Sequence, residues 1–352
     1  MSMTRHGHRI PEATATNCRR LSGWLLTAVG KISFCALALL ALLTLASCSG
    51  STEGDDSVAS GGIGGTGTIS VGPISALGSI FVNGIEFNTD QAVVELNGAT
   101  TNAGMLKVGM VVTVEGTVNE DGRTGVATSV VYGDNLHGPI SAINQLTGSF
   151  TVLGQTIHTY QGTVFDTGSA IPGFAGLGLD DIIKVSGLSG ADGSIQATRI
   201  SQGSTGETMQ ISGPVSNLTG TTFRINNLTV NFFGISQGGH MSNMNSNSPQ
   251  NGEVVEVRGS LDDNGILIAD YLRIMGPFSE GTRQMQLAGY IQTATPGSFT
   301  VITPMGFMTV LANQGTVFTG GTAADLIPGA GVRVKGSMSM GTLTALEISL
   351  TE

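Results

Sequence analysis

Few residues in this 352-residue chain have types suited to chemistry. Beyond residue 47 it holds three histidines, His137, His158 and His240, and adjacent carboxylates at Asp180-Asp181 and Asp262-Asp263. Acid–base or nucleophilic catalysis needs such groups to converge on one point. His137 and His158 have no counterpart at the matched positions of the repeats described below, which reads as surface or strand-edge placement. The Asp pairs fall at a strand start and a hairpin turn, without the alternating ligand spacing of a calcium loop. Softer chemistry is offered by Gly238-Gly239-His240-Met241-Ser242-Asn243-Met244-Asn245. The imidazole and thioethers of His240, Met241 and Met244 suit Cu(I), although an insert rich in Asn and Ser also reads as a solvated loop. No Gly-x-Ser-x-Gly stands between a buried strand and a helix, and neither a phosphate loop nor a Cys/His zinc cluster is present. The expectation is a non-enzymatic chain with no catalytic residue and no cofactor. A copper or small-ligand site in the insertion is the alternative.

All three cysteines, Cys18, Cys35 and Cys48, lie in the first 48 residues. Arg5, Arg9, Arg19, Arg20 and Lys31 precede an apolar run from Ile32 to Ala46. That run is shorter than the ~20 residues of a membrane-spanning helix. A basic stretch, a short apolar run and small residues before a cleavage point describe an export signal over residues 1–47. Its end, Leu45-Ala46-Ser47-Cys48, resembles the bacterial lipobox. The resemblance implies cleavage before Cys48 and acylation there, and Ser49 in place of an Asp implies the outer membrane, on its periplasmic or outward side. Several acyl chains make a stable anchor, at about 0.8 kcal/mol per buried CH2. The mature chain then has no free thiol and no internal disulfide. Residues 48–66, rich in Gly and Ser, read as a tether. Removing the basic signal leaves ten basic and 24 acidic residues, a balance of −14. Such a charge is expected to repel nucleic acid. The expected partners are therefore the membrane, through Cys48, and an envelope protein or a glycan, with no nucleic acid.

The elements that position these residues are announced by composition. With 53 glycines, 11% charged and 5% aromatic residues, the chain does not suit long helices. With 40% hydrophobic residues it does not suit disorder. Four segments open alike, at Gly72-Pro73-Ile74, Gly138-Pro139-Ile140, Gly213-Pro214-Val215 and Gly289-Tyr290-Ile291. Each is followed by a Ser or Thr with alternating apolar residues, as in Ser149-Phe150-Thr151-Val152 and Ser298-Phe299-Thr300-Val301. A third signature reads Val112-Thr113-Val114-Glu115-Gly116, Ile183-Lys184-Val185-Ser186-Gly187, Val255-Glu256-Val257-Arg258-Gly259 and Val332-Arg333-Val334-Lys335-Gly336. Its period of two predicts a half-buried strand. Asp121-Gly122, Asp192-Gly193 and Asn264-Gly265 then predict hairpin turns, with Met338-Ser339-Met340-Gly341 in the fourth copy. The returning strand carries Ala127, Ala197, Ala269 and Ala345, each three residues before an aliphatic residue. Three is odd, so the strand either contains a bulge or is buried on both faces.

Together these motifs look like the bacterial domain of unknown function numbered 5666, in tandem copies over about residues 67–352. That resemblance implies architecture and transfers no site. The expected fold is all-β: four tandem small barrels of the OB type, each of about five strands, at 67–135, 136–208, 209–284 and 285–352, with a polar insertion at 238–252 in the third. Such closure removes exposed strand edges. The function expected is that of an exported, membrane-anchored interaction or envelope-structural protein.

Overall fold

The computed structural model describes residues 67–236, 240–242, 248–276 and 283–351, of which 236 and 240–242 are described by backbone alone. The signal segment, the tether and Cys48 lie outside the described residues. The described residues belong to one compact unit. Module 1 comprises β1 (Thr68–Ala76), β2 (Ile80–Val82), β3 (Ile85–Asn88), β4 (Val93–Leu96), β5 (Ala99–Thr101), β6 (Val111–Val118) and β7 (Thr124–Tyr132). Module 2 has β8 (Leu136–Asn144), β9 (Ser149–Val152), β10 (Gln155–His158), β11 (Val164–Asp166), β12 (Ile182–Ser189) and β13 (Ile195–Gln202). Module 3 has β14 (Met209–Pro214), β15 (Ser216–Thr219), β16 (Thr222–Ile225), β17 (Leu228–Asn231), the one-turn helix α1 (Phe233–Ser236), β18 (His240–Ser242), β19 (Val254–Leu261) and β20 (Leu267–Ile274). Module 4 has β21 (Arg283–Thr295), β22 (Ser298–Thr303), β23 (Gly306–Leu311), β24 (Val317–Thr319), β25 (Gly331–Ser339) and β26 (Thr342–Thr351).

Within module 1 the pairing closes on itself. β1 pairs antiparallel with β2 and β6, β2 with β3, and β6 with β7, while β3 runs parallel to β7. Modules 2 and 4 repeat this circuit, and module 3 repeats it with its first strand divided at Val215 into β14 and β15. The spatial order 1-2-3-5-4 is that of a five-stranded OB-type barrel. The aromatic of the second signature fills the interior in three modules: Phe150, Phe223 and Phe299 are all at most 2% exposed. Burial of such a side chain is worth about 1.5–3 kcal/mol.

The odd spacing on the last strand is a bulge in every module. The register shifts between Glu115 and Gly116, Ser186 and Gly187, Arg258 and Gly259, and Lys335 and Gly336. Thr128, Thr198, Asp270 and Leu346 are the extra residues opposite, so Ala and the aliphatic residue three on both face the core. The glycine of the third signature follows from the same geometry. A Cβ there would meet the carbonyl oxygen of the bulged strand at 2.0–2.4 Å in each module.

A second repeated device lies just before the third signature. Gly109, Asp180, Gly252 and Gly329 have positive φ and donate their N–H to the carbonyls of Ile74, Ile140, Val215 and Ile291. Gly252 is therefore part of the module framework, as is Asn251, whose Oδ1 accepts from the Leu218 amide. The framework thus reaches into the end of the polar stretch 238–252. The fourth hairpin turns at Met340-Gly341, both at positive φ.

Candidate functional site

The modules are not beads on a string. Sheet pairing joins module 1 to module 4, through a parallel ladder from Thr68↔Gln284 to Val71↔Leu287. It joins module 2 to module 3 through Gln210↔His137 and Ile211↔Leu136. Side chains complete the remaining joints. The loop of module 1 before β6 docks on the bulge of module 2: the Thr198 hydroxyl donates to Gly109 O at 2.6 Å, Val111 N donates to Ser186 Oγ at 2.8 Å, and Arg199 donates to Val108 O at 3.1 Å. Arg258 of module 3 donates to Asn97 O of module 1 at 2.9 Å, and Gln292 of module 4 donates to Ser189 O of module 2 at 2.8 Å.

Where the modules meet they leave a chamber of about 270 Å³ with walls from all four, including Thr113, Asp134, Ser189, Glu256 and Thr303. Ligand sites favour such inter-domain cavities. Of its charged groups, Asp134, Glu256 and Arg273 are held by hydrogen bonds or ion pairs, while the Glu95 side chain has no such partner among the described residues. Glu256, 4% exposed at its side chain, accepts from Arg258 at 2.6 Å and Arg273 at 2.5 Å. Arg258 also lies over the Tyr271 ring, 4.9 Å from its centroid, a favourable placement for a cation. Opposite, buried Asp134 accepts from the Tyr132 phenol and from Asn97 Nδ2. Burial pushes the Asp134 carboxyl up, while the hydrogen bonds from Tyr132 and Asn97 oppose that rise. Burial, then the Asp134 charge, pushes the Tyr132 phenol well above its ordinary range. These walls supply polar contacts to a small occupant; of the three carboxylates, Asp134 and Glu256 are held by fixed donors.

Glu256, Arg258 and Arg273 were missed as a group from sequence. The signal was present: residues two apart share a strand face, and Glu256 stands directly opposite Arg273 in the β19–β20 ladder. Asp134 and Asn97 left no such pattern, because a short connection and a turn bring them together.

The residues singled out from sequence are dispersed. His137 is buried at the module 2–3 joint, its Nδ1 3.0 Å from the Thr208 carbonyl and its Nε2 3.5 Å from Glu207. Lys184, 2.7 Å from Glu207, is the main cause holding that carboxyl below its usual range. Asp180 occupies the positive-φ turn position, and Asp181 accepts from Gly178 N. Asp262 accepts from the amides of Asn264 and Ile266 within its hairpin. His240 and Met241 fall on β18, paired with Tyr271 and Leu272, and Met244 lies outside the described residues. Among the described residues no group of three or more His, Cys, Asp or Glu is placed to hold a metal. His158 is the exception to isolation, lining a cleft with Asp192 and Tyr290.

Two solved structures are similar to part of this chain. One, titled drosophila Unr CSD456, is 14% identical, with 58% of this chain and 96% of that chain covered and a TM-score of 0.18. The other, a multidomain protein with nucleic acid binding domains from Streptococcus pneumoniae TIGR4, is 12% identical, with 61% and 72% covered and a TM-score of 0.17. No curated protein matches. The expectation that nucleic acid is not a partner is corrected here, since a structure titled for nucleic acid binding domains is among the similar ones. The charge sum behind that expectation averages over faces that differ: Arg333 and Lys335 stand exposed two residues apart on β25. The model of the domain of unknown function DUF5666 matches residues 66–131, 137–201, 212–273 and 288–349, and the chain belongs to that family.

Proposed function

We propose that this protein is an exported lipoprotein, held at the outer membrane through acylated Cys48, whose four modules form one non-enzymatic interaction or envelope-structural head. The observation that carries the reading is the mutual closure of the modules around a shared chamber. Interlocking repeats of this kind suit a rigid binding body. The chamber supports binding over catalysis, because Asp134 and Glu256 are each engaged by structural donors. Cys48 supplies the anchor in this reading, and the Gly- and Ser-rich residues 49–66 supply reach.

The test uses the full chain with its own signal, expressed in a Gram-negative host. Palmitate labelling and recovery in the outer-membrane fraction are expected for the wild type and lost in Cys48→Ala. A Cys48→Ala chain that still fractionates with the outer membrane sinks the anchor. Crosslinking in the intact envelope is expected to capture a discrete partner through the four-module head. Capture of none, together with turnover of a small-molecule panel by the purified chain, would replace the interaction role by an enzymatic one.

A further inference from the structure

A second cavity, separate from the central chamber, lies between module 2 and module 4. It measures about 520 Å³ and is lined by His158, Asp192 and Gln196 from one side and by Tyr290, Pro328 and Gly329 from the other. Its polar groups differ in kind from those of the chamber. The side chains of His158, Gln196 and Tyr290 have no hydrogen-bond partner among the described residues. Asp192 uses Oδ1 to accept from the Ser194 amide at 2.9 Å and hydroxyl at 2.6 Å, which leaves Oδ2 open. Those Ser194 bonds hold the Asp192 carboxyl below its usual range, so it is an acceptor at neutral pH. Tyr160 lies close enough for its phenol to sense that of Tyr290.

We propose that this cleft binds a neutral saccharide, with one sugar face against the Tyr290 ring and its hydroxyls bonded to Asp192, Gln196 and His158. Three features select that class. The free groups include donors and acceptors side by side, as hydroxyls require. A tyrosine offers an apolar ring beside a polar tip, matching a sugar ring with a C–H face and a hydroxyl rim. The lining contains a carboxylate and no Lys or Arg, so an anionic ligand finds no counter-charge there. A simple cation would leave the imidazole and carboxamide donors unused.

The experiment is calorimetric titration of the full chain in detergent with neutral trisaccharides of gluco, N-acetylgluco and galacto configuration. At least one is expected to bind. Tyr290→Leu, which removes the ring edge and phenol, is expected to weaken that binding about tenfold. Gln196→Ala and Asp192→Asn are each expected to weaken it several-fold. Asp192→Asn keeps the Oδ1 acceptor of the turn, and the Gln196 side chain has no hydrogen-bond partner among the described residues, so both variants should still unfold cooperatively, Asp192→Asn at a slightly lowered midpoint because its turn bonds lose the carboxylate charge. Arg123→Gln, exposed in the β6–β7 hairpin of module 1, should bind as wild type. The proposal is overturned if no trisaccharide binds at millimolar concentration, or if binding survives all three cleft variants. It is equally overturned if a short single-stranded oligonucleotide, rather than a sugar, is the probe whose binding these variants abolish.

Discussion

Modules 1 and 4 are joined differently from modules 2 and 3, although all four fold to one plan. Modules 2 and 3 are neighbours in the chain, touch through a two-pair antiparallel ladder, and merge their interiors into one apolar cluster running from Leu136 to Leu272. Modules 1 and 4 are the most distant in sequence and meet through a longer parallel ladder. Their interiors stay separate, but one strand serves both. Ile74 of β1 packs in the core of module 1, while Ile69 and Val71 on its other face pack in the core of module 4. Pairing within a sheet is thus decided by what the first strand presents. Where its outward positions are apolar, as at Ile69 and Val71, a second barrel can close over them. In module 2 those positions hold Asn135 and His137, which bond to backbone instead.

The largest consequence follows from removing module 4. A chain ending at residue 276 leaves β1 without its parallel partner and exposes Ile69 and Val71, each worth about 1.5–3 kcal/mol when buried. Module 1 is expected to lose most of its amide protection in hydrogen exchange, while β12, β13, β19 and β20 keep theirs. Residues 136–276 alone should likewise give a cooperative unfolding transition. Equal loss of protection in all modules would show that the two pairs are one folding unit.

A smaller effect is expected at the seam between the pairs. Glu256→Ala leaves Arg258 and Arg273 without their carboxylate in a mostly buried setting, which costs about 3 kcal/mol. Because Arg258 also reaches Asn97 of module 1, the loss falls on the joint rather than on either pair. Denaturant unfolding should then resolve into two transitions. A single transition, shifted by less than about 1 kcal/mol, would reduce the Glu256 cluster to an exposed ion pair.

Much of this architecture was readable from the residues themselves. Period-two patterning located β6, β12, β19 and β25, and the odd Ala spacing pointed to a bulge or a doubly buried strand, of which the register shifts show the bulge. Those signals are local, and local geometry enforces them: a Cβ at Gly116 or Gly336 strikes the facing carbonyl at 2.1 Å. The joints were not readable, because they depend on contacts between residues far apart. Thr198 and Leu346 hold the same bulge position, yet Thr198 is buried under module 1 and Leu346 is half exposed. Nothing adjacent in sequence distinguishes them. The cations show the same divide. Of ten basic residues beyond residue 47, Lys184, Arg199, Arg258, Arg273 and Arg283 are in ion pairs. The scarcity of charge was visible in the sequence, but its use at module joints was not. Among them, Arg283 of module 4 pairs with Glu115 of module 1 at 3.2 Å.

The smallest expected difference between the pairs is their response to acid. Asp121 and Asp325 in modules 1 and 4, and Asp192 and Asp262 in modules 2 and 3, are held below the usual carboxylate range mainly by hydrogen bonds in their turns. A group whose folded value is depressed stabilises the fold above its unfolded value, and that contribution disappears as pH falls through the folded value. These four act alike in both pairs and cancel in the comparison. Glu207 does not cancel. Its carboxyl is depressed chiefly by Lys184, and the contact ties the connection that leads into β14 of module 3 back onto β12 of module 2. Asp134 has the opposite sign: burial raises its carboxyl, so its stabilising contribution is present at low pH and lost as pH rises through the raised value. Acidification from about pH 6 to about pH 3 therefore removes the Glu207 contribution while relieving Asp134. After correction for intrinsic exchange, β8 and β14 are expected to lose more protection than β1 and β21 across that range. Lys184→Met should abolish the difference by removing the main cause of the Glu207 shift. Equal acid sensitivity of the two ladders in the wild type would mean that the Lys184–Glu207 contact adds nothing to the joint.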